Sequence, residues 1–252
     1  MKKDLILSVI NLFALIGVLA VNTLANSLPI NGRSTGEISD GVDFLFKPAG
    51  YVFSIWGVIY LALVLFVIAQ FFPAIRQTQI VSRIGPWFVF SCLANAGWLF
   101  LWHYERLGWS VAVMGILFLS LVMIYLKMAQ VQSVHPVYRW CVKAPFSLYL
   151  GWISVAVIAN ISIALKKSGW SAWGISDAGW LVIMLIAGLI LSFLMVYLRR
   201  DLVFAMVIAW AFIGIGVQHE GRIPLSLIAW AAGILVVLLP LAATGIRGFG
   251  NR

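Results

Sequence analysis

The stretch PAGYVFSIWGVIYLALVLFVIAQFF, residues 48–72, contains no acidic and no basic side chain. A helix needs about 20 apolar residues to cross the hydrocarbon of a bilayer, so this run reads as a membrane span. Wound as a helix, it sets Phe53, Trp56 and Tyr60 at i, i+3 and i+7, on one face. Lipid alone does not ask for aromatic rings on a single face, so the stretch also marks a surface that meets other helices or a ligand.

The rest of the chain repeats the first property. Of 252 residues, 63% are hydrophobic and 10% charged, against about 25% charged in a soluble domain. With a mean hydropathy of +1.05, the chain reads as an all-α integral membrane protein. Eight apolar runs are expected to span, at residues 5–24, 49–71, 86–103, 109–127, 145–165, 180–198, 202–218 and 224–243. The formal charge of +9 does not point to nucleic acid, because the cations fall in short connections between these runs. With the N-terminus in the cytoplasm, eleven of the 17 Lys and Arg residues lie inside and six outside, while six of the eight Asp and Glu residues lie outside. Cationic loops stay on the cytoplasmic side. The expected location is therefore a bacterial cytoplasmic membrane with both termini cytoplasmic.

Lys2-Lys3 followed by an apolar run has the look of a secretory signal. The run is long, however, and Thr23-Leu24-Ala25 is a poor cleavage site, so a retained first span is expected. Pro48, Pro86 and Pro145 are read as helix starts, where a missing N–H costs little. Pro240 falls inside the last run. The longest connection, residues 25–47, is either a lid over an outward-facing pocket or a flexible hairpin. Cys92 and Cys141 form no metal or disulfide spacing, and His103, His135 and His219 match no zinc motif. His103-Tyr104-Glu105-Arg106 is the densest polar group near a membrane surface. It suits an acidic ligand or a bound iron, or is simply a solvated turn.

Two further runs carry mixed faces. Ser91, Asn95, Trp98 and Trp102 recur at helical spacing in the third run, and Tyr149, Trp152, Ala156 and Asn160 do so in the fifth. An amide in hydrocarbon is costly unless it bonds to a neighbouring helix or a ligand, so Asn95 and Asn160 are expected to face the bundle interior. These stripes are either packing faces joined by interhelical hydrogen bonds or the walls of a ligand pocket. Trp87, Trp109, Trp140, Trp170, Trp173 and Trp180 lie at span ends and are read as an interfacial belt. No run carries an Asp, Glu, Lys or Arg near its middle, and neither a catalytic triad nor a phosphate loop is visible.

At these three stripes the chain resembles the translocator protein / tryptophan-rich sensory protein (TspO/MBR) family. The elements that carry the resemblance are Pro48, Gly50, Val52, Phe53, Trp56 and Tyr60 in the second run, Leu93, Asn95 and Trp98 in the third, and Tyr149, Trp152, Ala156 and Asn160 in the fifth. Ala49 stands where the family usually has a second proline, and Leu148 where it has a proline before the tyrosine. The resemblance covers residues 1–165 and implies a five-helix ligand-binding bundle, with residues 166–252 as a three-helix C-terminal extension. It implies an aromatic intramembrane pocket for a porphyrin, haem or a similar flat hydrophobic ligand, with no obligatory cofactor and no metal site. It also implies a homodimer. The pocket residues it implies are Trp56, Tyr60, Asn95, Trp98, Trp152, Ala156 and Asn160, none of them catalytic.

Three functions fit this reading. The first is a membrane sensor or receptor that binds the ligand. The second is a secondary transporter of small hydrophobic molecules that uses all eight spans. The third is an enzyme degrading bound porphyrin in light, which would rest on ligand photochemistry. On the two-part division, a chain cut near Gly174 is expected to remain inserted and to keep its pocket.

Overall fold

The computed structural model describes residues 2–27, 30–33, 35–133 and 135–249. Arg252, counted above among the inner cations, lies outside the described residues. All regular structure among the described residues is helical. The long helices are α1 (Lys2–Ser27), α3 (Ile55–Ala69), α6 (Trp87–His103), α7 (Leu107–Ala129), α9 (Ala144–Lys167), α10 (Asp177–Arg199), α11 (Leu202–Gln218) and α12 (Ile223–Phe249). Short helices lie between them: α2 (Thr35–Asp40), α4 (Pro73–Arg76), α5 (Ile80–Ile84) and α8 (Pro136–Tyr138).

Each expected run is thus a helix. Among the described residues, six helical stretches are long and apolar enough to cross a membrane: Lys3–Ala25, Gly50–Ala69, Leu107–Ala129, Pro136–Lys167, Asp177–Arg199 and Ile223–Pro240. α6 and α11 have 17 residues each, about 26 Å at 1.5 Å per residue.

The distribution of side chains explains the composition. Phe13, Leu61, Leu93, Leu119 and Leu198, on five different helices, are each more than half exposed. Asn11, Asn95, Asn160, Ser110 and Ser192 are buried. In water, so many exposed apolar faces would drive aggregation. In a bilayer they face lipid, and the amides turn inward to find partners.

The chain forms two compact units, and the boundary is not a single cut. The first holds residues 1–41 and 55–160, the second residues 42–54 and 161–252. The division expected at residue 165 therefore misses one segment: residues 42–54 belong with the C-terminal helices.

In the first unit, α6 packs against α1 and α7. α1 buries Ser8, Asn11, Leu15, Val18 and Ala25, one stripe at helical spacing. Phe66 of α3, Phe88 of α6 and Phe146 of α9 meet edge to face, with centroids 4.7 to 6.0 Å apart. α9 does not begin at Pro145 as expected. The helical path is continuous from Pro136 to Lys167, with a π turn over Arg139–Lys143 in which Ala144 N–H donates to Arg139 O. A proline inside a helix removes one N–H and crowds the carbonyl four residues back. For Pro145 that carbonyl belongs to Cys141, which lies inside the wider π turn.

In the second unit, α11 packs against α10 and α12. Trp230 of α12 lies so close to Gly216 that a Cβ there would sit 2.1 Å from its ring. The segment 42–54 lies along α11 in the same unit. Ala49 N–H donates to Gly214 O (3.0 Å), Trp210 Nε1–H to Val52 O (3.2 Å) and His219 Nε2–H to Leu45 O (2.8 Å). Any Cβ at Gly214 would come within 2.1 Å of Val52 Cγ2, so only glycine permits this approach. Phe46 and Val52 are buried there. This part of the long connection is therefore a packed element and not a flexible hairpin.

Candidate functional site

The aromatic stripes of α3 and α9 meet in the first unit, and Trp56 is their hub. Its ring stacks on Tyr60 (centroids 5.5 Å, planes 21° apart). It meets Tyr149 edge-on at 5.9 Å and Trp152 at 6.2 Å. Tyr149 and Trp152 are buried, whereas Trp56 and Tyr60 are half-buried. Edge-to-face and offset-stacked pairs at these distances are the favoured geometries of aromatic rings.

One amide braces this cluster. Asn95 of α6 donates to Tyr149 Oη (2.7 Å). Its Oδ1 accepts from Asn22 Nδ2 of α1 (3.0 Å) and, at a longer 3.4 Å, from Tyr60 Oη. Four helices are thus tied through one buried side chain. A polar group in hydrocarbon persists when its hydrogen bonds are made, and Asn95 makes them within the protein.

Trp98 and Asn160 build a second network, one helical turn along α6. Trp98 Nε1–H donates to Asn160 Oδ1 (2.9 Å), and Asn160 Nδ2 donates to Ser110 Oγ of α7 (2.9 Å). Ser110 passes its own proton to Leu107 O (2.8 Å). Trp98 also stacks on Trp102 at 5.5 Å.

Beyond Trp102 the network reaches the first connection. Trp102 Nε1–H donates to Thr35 O (3.2 Å). His103 is buried; its Nδ1–H donates to Ile30 O (2.9 Å), so its Nε2 accepts from the Thr35 hydroxyl (3.0 Å). Asn31 Nδ2 donates to His103 O (3.1 Å), and Arg33 pairs with Glu105 at 2.6 Å. The turn at residues 103–106 is therefore a clasp holding Ile30, Asn31, Arg33 and Thr35. Its histidine is not solvated, since both ring nitrogens are used.

The structure thus gathers Trp56, Tyr60, Asn95 and Trp152 into one cluster and places Trp98 and Asn160 in an adjoining one. Ala156, half-buried, lies on the face of α9 between Trp152 and Asn160. Phe53 falls in the 3-10 segment Gly50–Ser54, which belongs to the second unit. Sequence reasoning missed Asn22, Ser110 and Thr35. Asn22 had a signal: an amide at the end of an apolar run must find a partner.

The chemistry available here is ring stacking and amide hydrogen bonding. A family model described as TSPO-like protein matches residues 8–245. The chain belongs to the TSPO-like family. The match includes α10, α11 and most of α12, where the sequence reading found no resemblance. With its apolar helices, membership makes this TSPO-like chain an integral membrane protein. No curated protein and no solved structure matches it.

Proposed function

We propose that this TSPO-like protein is a membrane sensor that binds a flat, hydrophobic ligand of the tetrapyrrole class at the aromatic cluster of its first unit. One observation carries the reading: Trp56 and Tyr60 form a half-buried parallel stack whose inner side is backed by buried Tyr149 and Trp152. Ligand sites are concave and largely aromatic or apolar, with few polar groups. A planar macrocycle extends an existing stack at little conformational cost, because aromatic side chains have few rotors. Asn95, whose amide is already engaged, acts as a brace for the rings, and Ala156 leaves room beside Trp152. Trp98 and Asn160 hold α6, α7 and α9 in register.

The same proposal includes eight crossings with both termini in the cytoplasm, in a bacterial inner membrane, and a homodimer as the assembled form. The excess of Lys and Arg in the loops assigned to the inside supports the orientation.

Titration of the purified protein with protoporphyrin IX, followed by quenching of tryptophan fluorescence, tests the reading. Saturable quenching with one site per chain is expected. Absence of saturation over the accessible concentration range overturns it. A parallel flux assay in sealed vesicles separates sensing from transport: binding without flux fits a sensor, and ligand crossing that depends on the protein fits a transporter.

A further inference from the structure

An open surface cleft of about 620 Å³ lies in the first unit between the α4–α5 turn and the chain after α7, and Gln77, Arg83, Gln130, Gln132 and His135 in its walls are exposed. Its walls carry Arg83, His135, Gln77, Gln130, Gln132 and Ser133. Pockets for greasy ligands are lined mainly by apolar side chains. This one is lined mainly by polar side chains, beside Ala74 and Val131, and contains no carboxylate.

The surroundings lean the same way. Residues 70–86 and 127–143 contain no Asp or Glu, yet they hold Arg76, Arg83, Lys127, Arg139 and Lys143. Asp4, in the first turn of α1, does not line the cavity. Arg83 has no carboxylate partner among the described residues. His135 Nδ1 accepts from Val137 N–H (3.2 Å), which places the proton of the neutral ring on Nε2, free to donate. The Ser133 hydroxyl oxygen accepts from His135 N–H (3.4 Å), leaving its own proton for another acceptor. A guanidinium fork, a ring N–H, a hydroxyl and three amides form a donor set suited to an anion with several oxygens. A single carboxylate would leave most of these donors and most of the volume unused.

We propose that this cleft binds a phosphate-bearing polar group, with Arg83 as its charged anchor. Arginine meets phosphate oxygens through two parallel N–H donors, and the amides are placed to take hydroxyl or ester oxygens around it. Two sources carry this chemistry: the phosphodiester headgroup of an anionic lipid and a soluble phosphorylated molecule.

Two arms distinguish them, both with the full chain. In neutral detergent the protein is titrated with glycerol 3-phosphate and with inorganic phosphate. In nanodiscs of phosphatidylcholine doped with phosphatidylglycerol, retained phosphatidylglycerol is counted by native mass spectrometry. Binding in the first arm assigns a soluble ligand, and binding only in the second assigns a lipid headgroup. In whichever arm binds, Arg83→Gln is expected to weaken binding about five- to tenfold, as for the loss of a charge-assisted hydrogen bond, with Arg83→Lys retaining part of it. Arg139→Gln is the control, because Arg139 lies over the Trp140 ring at 5.4 Å and does not line the cavity. Unchanged helicity in both variants shows that neither acts through unfolding. No binding in either arm, or equal weakening by Arg83→Gln and Arg139→Gln, overturns the proposal.

Discussion

Two clusters of aromatic rings in this protein share their ring chemistry and differ in everything that holds it. In the first unit, Trp56, Tyr60, Tyr149 and Trp152 come from two helices nearly a hundred residues apart in sequence. They are braced by amides from two more helices. In the second unit, Trp170 and Trp173 come from the connection after α9 and Trp180 from the first turn of α10, with centroids 5.3 to 6.0 Å apart. The first cluster is mostly buried. In the second, Trp173 is 76% exposed, and Ala172 and Trp173 both hold positive φ, a conformation that non-glycine residues rarely adopt. Trp180 Nε1–H closes the turn on Ala172 O (3.1 Å). Tryptophan content alone therefore says little. A wall that is assembled from distant helices and supported by amides can shape a site. A local turn that displays its rings outward suits the membrane–water interface.

The comparison would break most completely if the first cluster stood without the second unit. Removing residues 175–252 takes away Trp210, Gly214 and His219, the partners of residues 45–52. That segment runs directly into α3, the helix of Trp56 and Tyr60. We expect the shortened chain to lose folded, monodisperse protein on gel filtration in detergent. A monodisperse product that keeps ligand affinity would restore the independent five-helix bundle that the sequence suggested.

Substitutions sharpen the contrast on a smaller scale. Trp152→Ala empties buried volume and should cost about 3–5 kcal/mol of stability, whereas Trp173→Ala should stay within about 0.5 kcal/mol. Thermal unfolding in detergent compares them, and similar melting temperatures would mean that the first cluster is not a core. Asn95→Leu strips the Tyr149 hydroxyl and the Asn22 amide of their shared partner. A cost of about 1–3 kcal/mol is expected, the range for a buried group left unsatisfied. Because Asn95 is a brace, its melting temperature should fall by more than its ligand affinity; the reverse order would place Asn95 against the ligand. A change of opposite sign is expected at the turn, where Ala172→Gly relieves a positive φ and should raise stability by about 1 kcal/mol. A lower melting temperature there would show that the turn is not strained.

Much of the helix layout was legible in the sequence, since a long apolar run leaves the backbone no other way to satisfy itself in lipid. The inward direction of Asn95 and Asn160 was legible for the same reason. Their partners were not: an amide in an apolar run shows that a bond is needed, and only the fold selects Asn22, Tyr149 or Ser110. The packing of residues 42–54 was hidden because it depends on Gly214, more than 150 residues away, whose missing Cβ admits Val52. The π turn before Pro145 was hidden because proline reads as a helix start as readily as an interruption. The burial of His103 was hidden because the carbonyl and hydroxyl that take its two nitrogens lie about 70 residues upstream.

The central claim is that the first cluster binds the ligand and the second does not. Its most direct test is a pair of protoporphyrin IX titrations on Trp56→Leu and Trp173→Leu, each replacing a ring with an apolar side chain. Loss of a stacking contact worth about 0.5–1.5 kcal/mol predicts an affinity about two- to twelvefold weaker for Trp56→Leu and unchanged for Trp173→Leu. Equal affinities in the two variants, with both still folded, would contradict the account and leave the aromatic faces of α3 and α9 as helix packing alone.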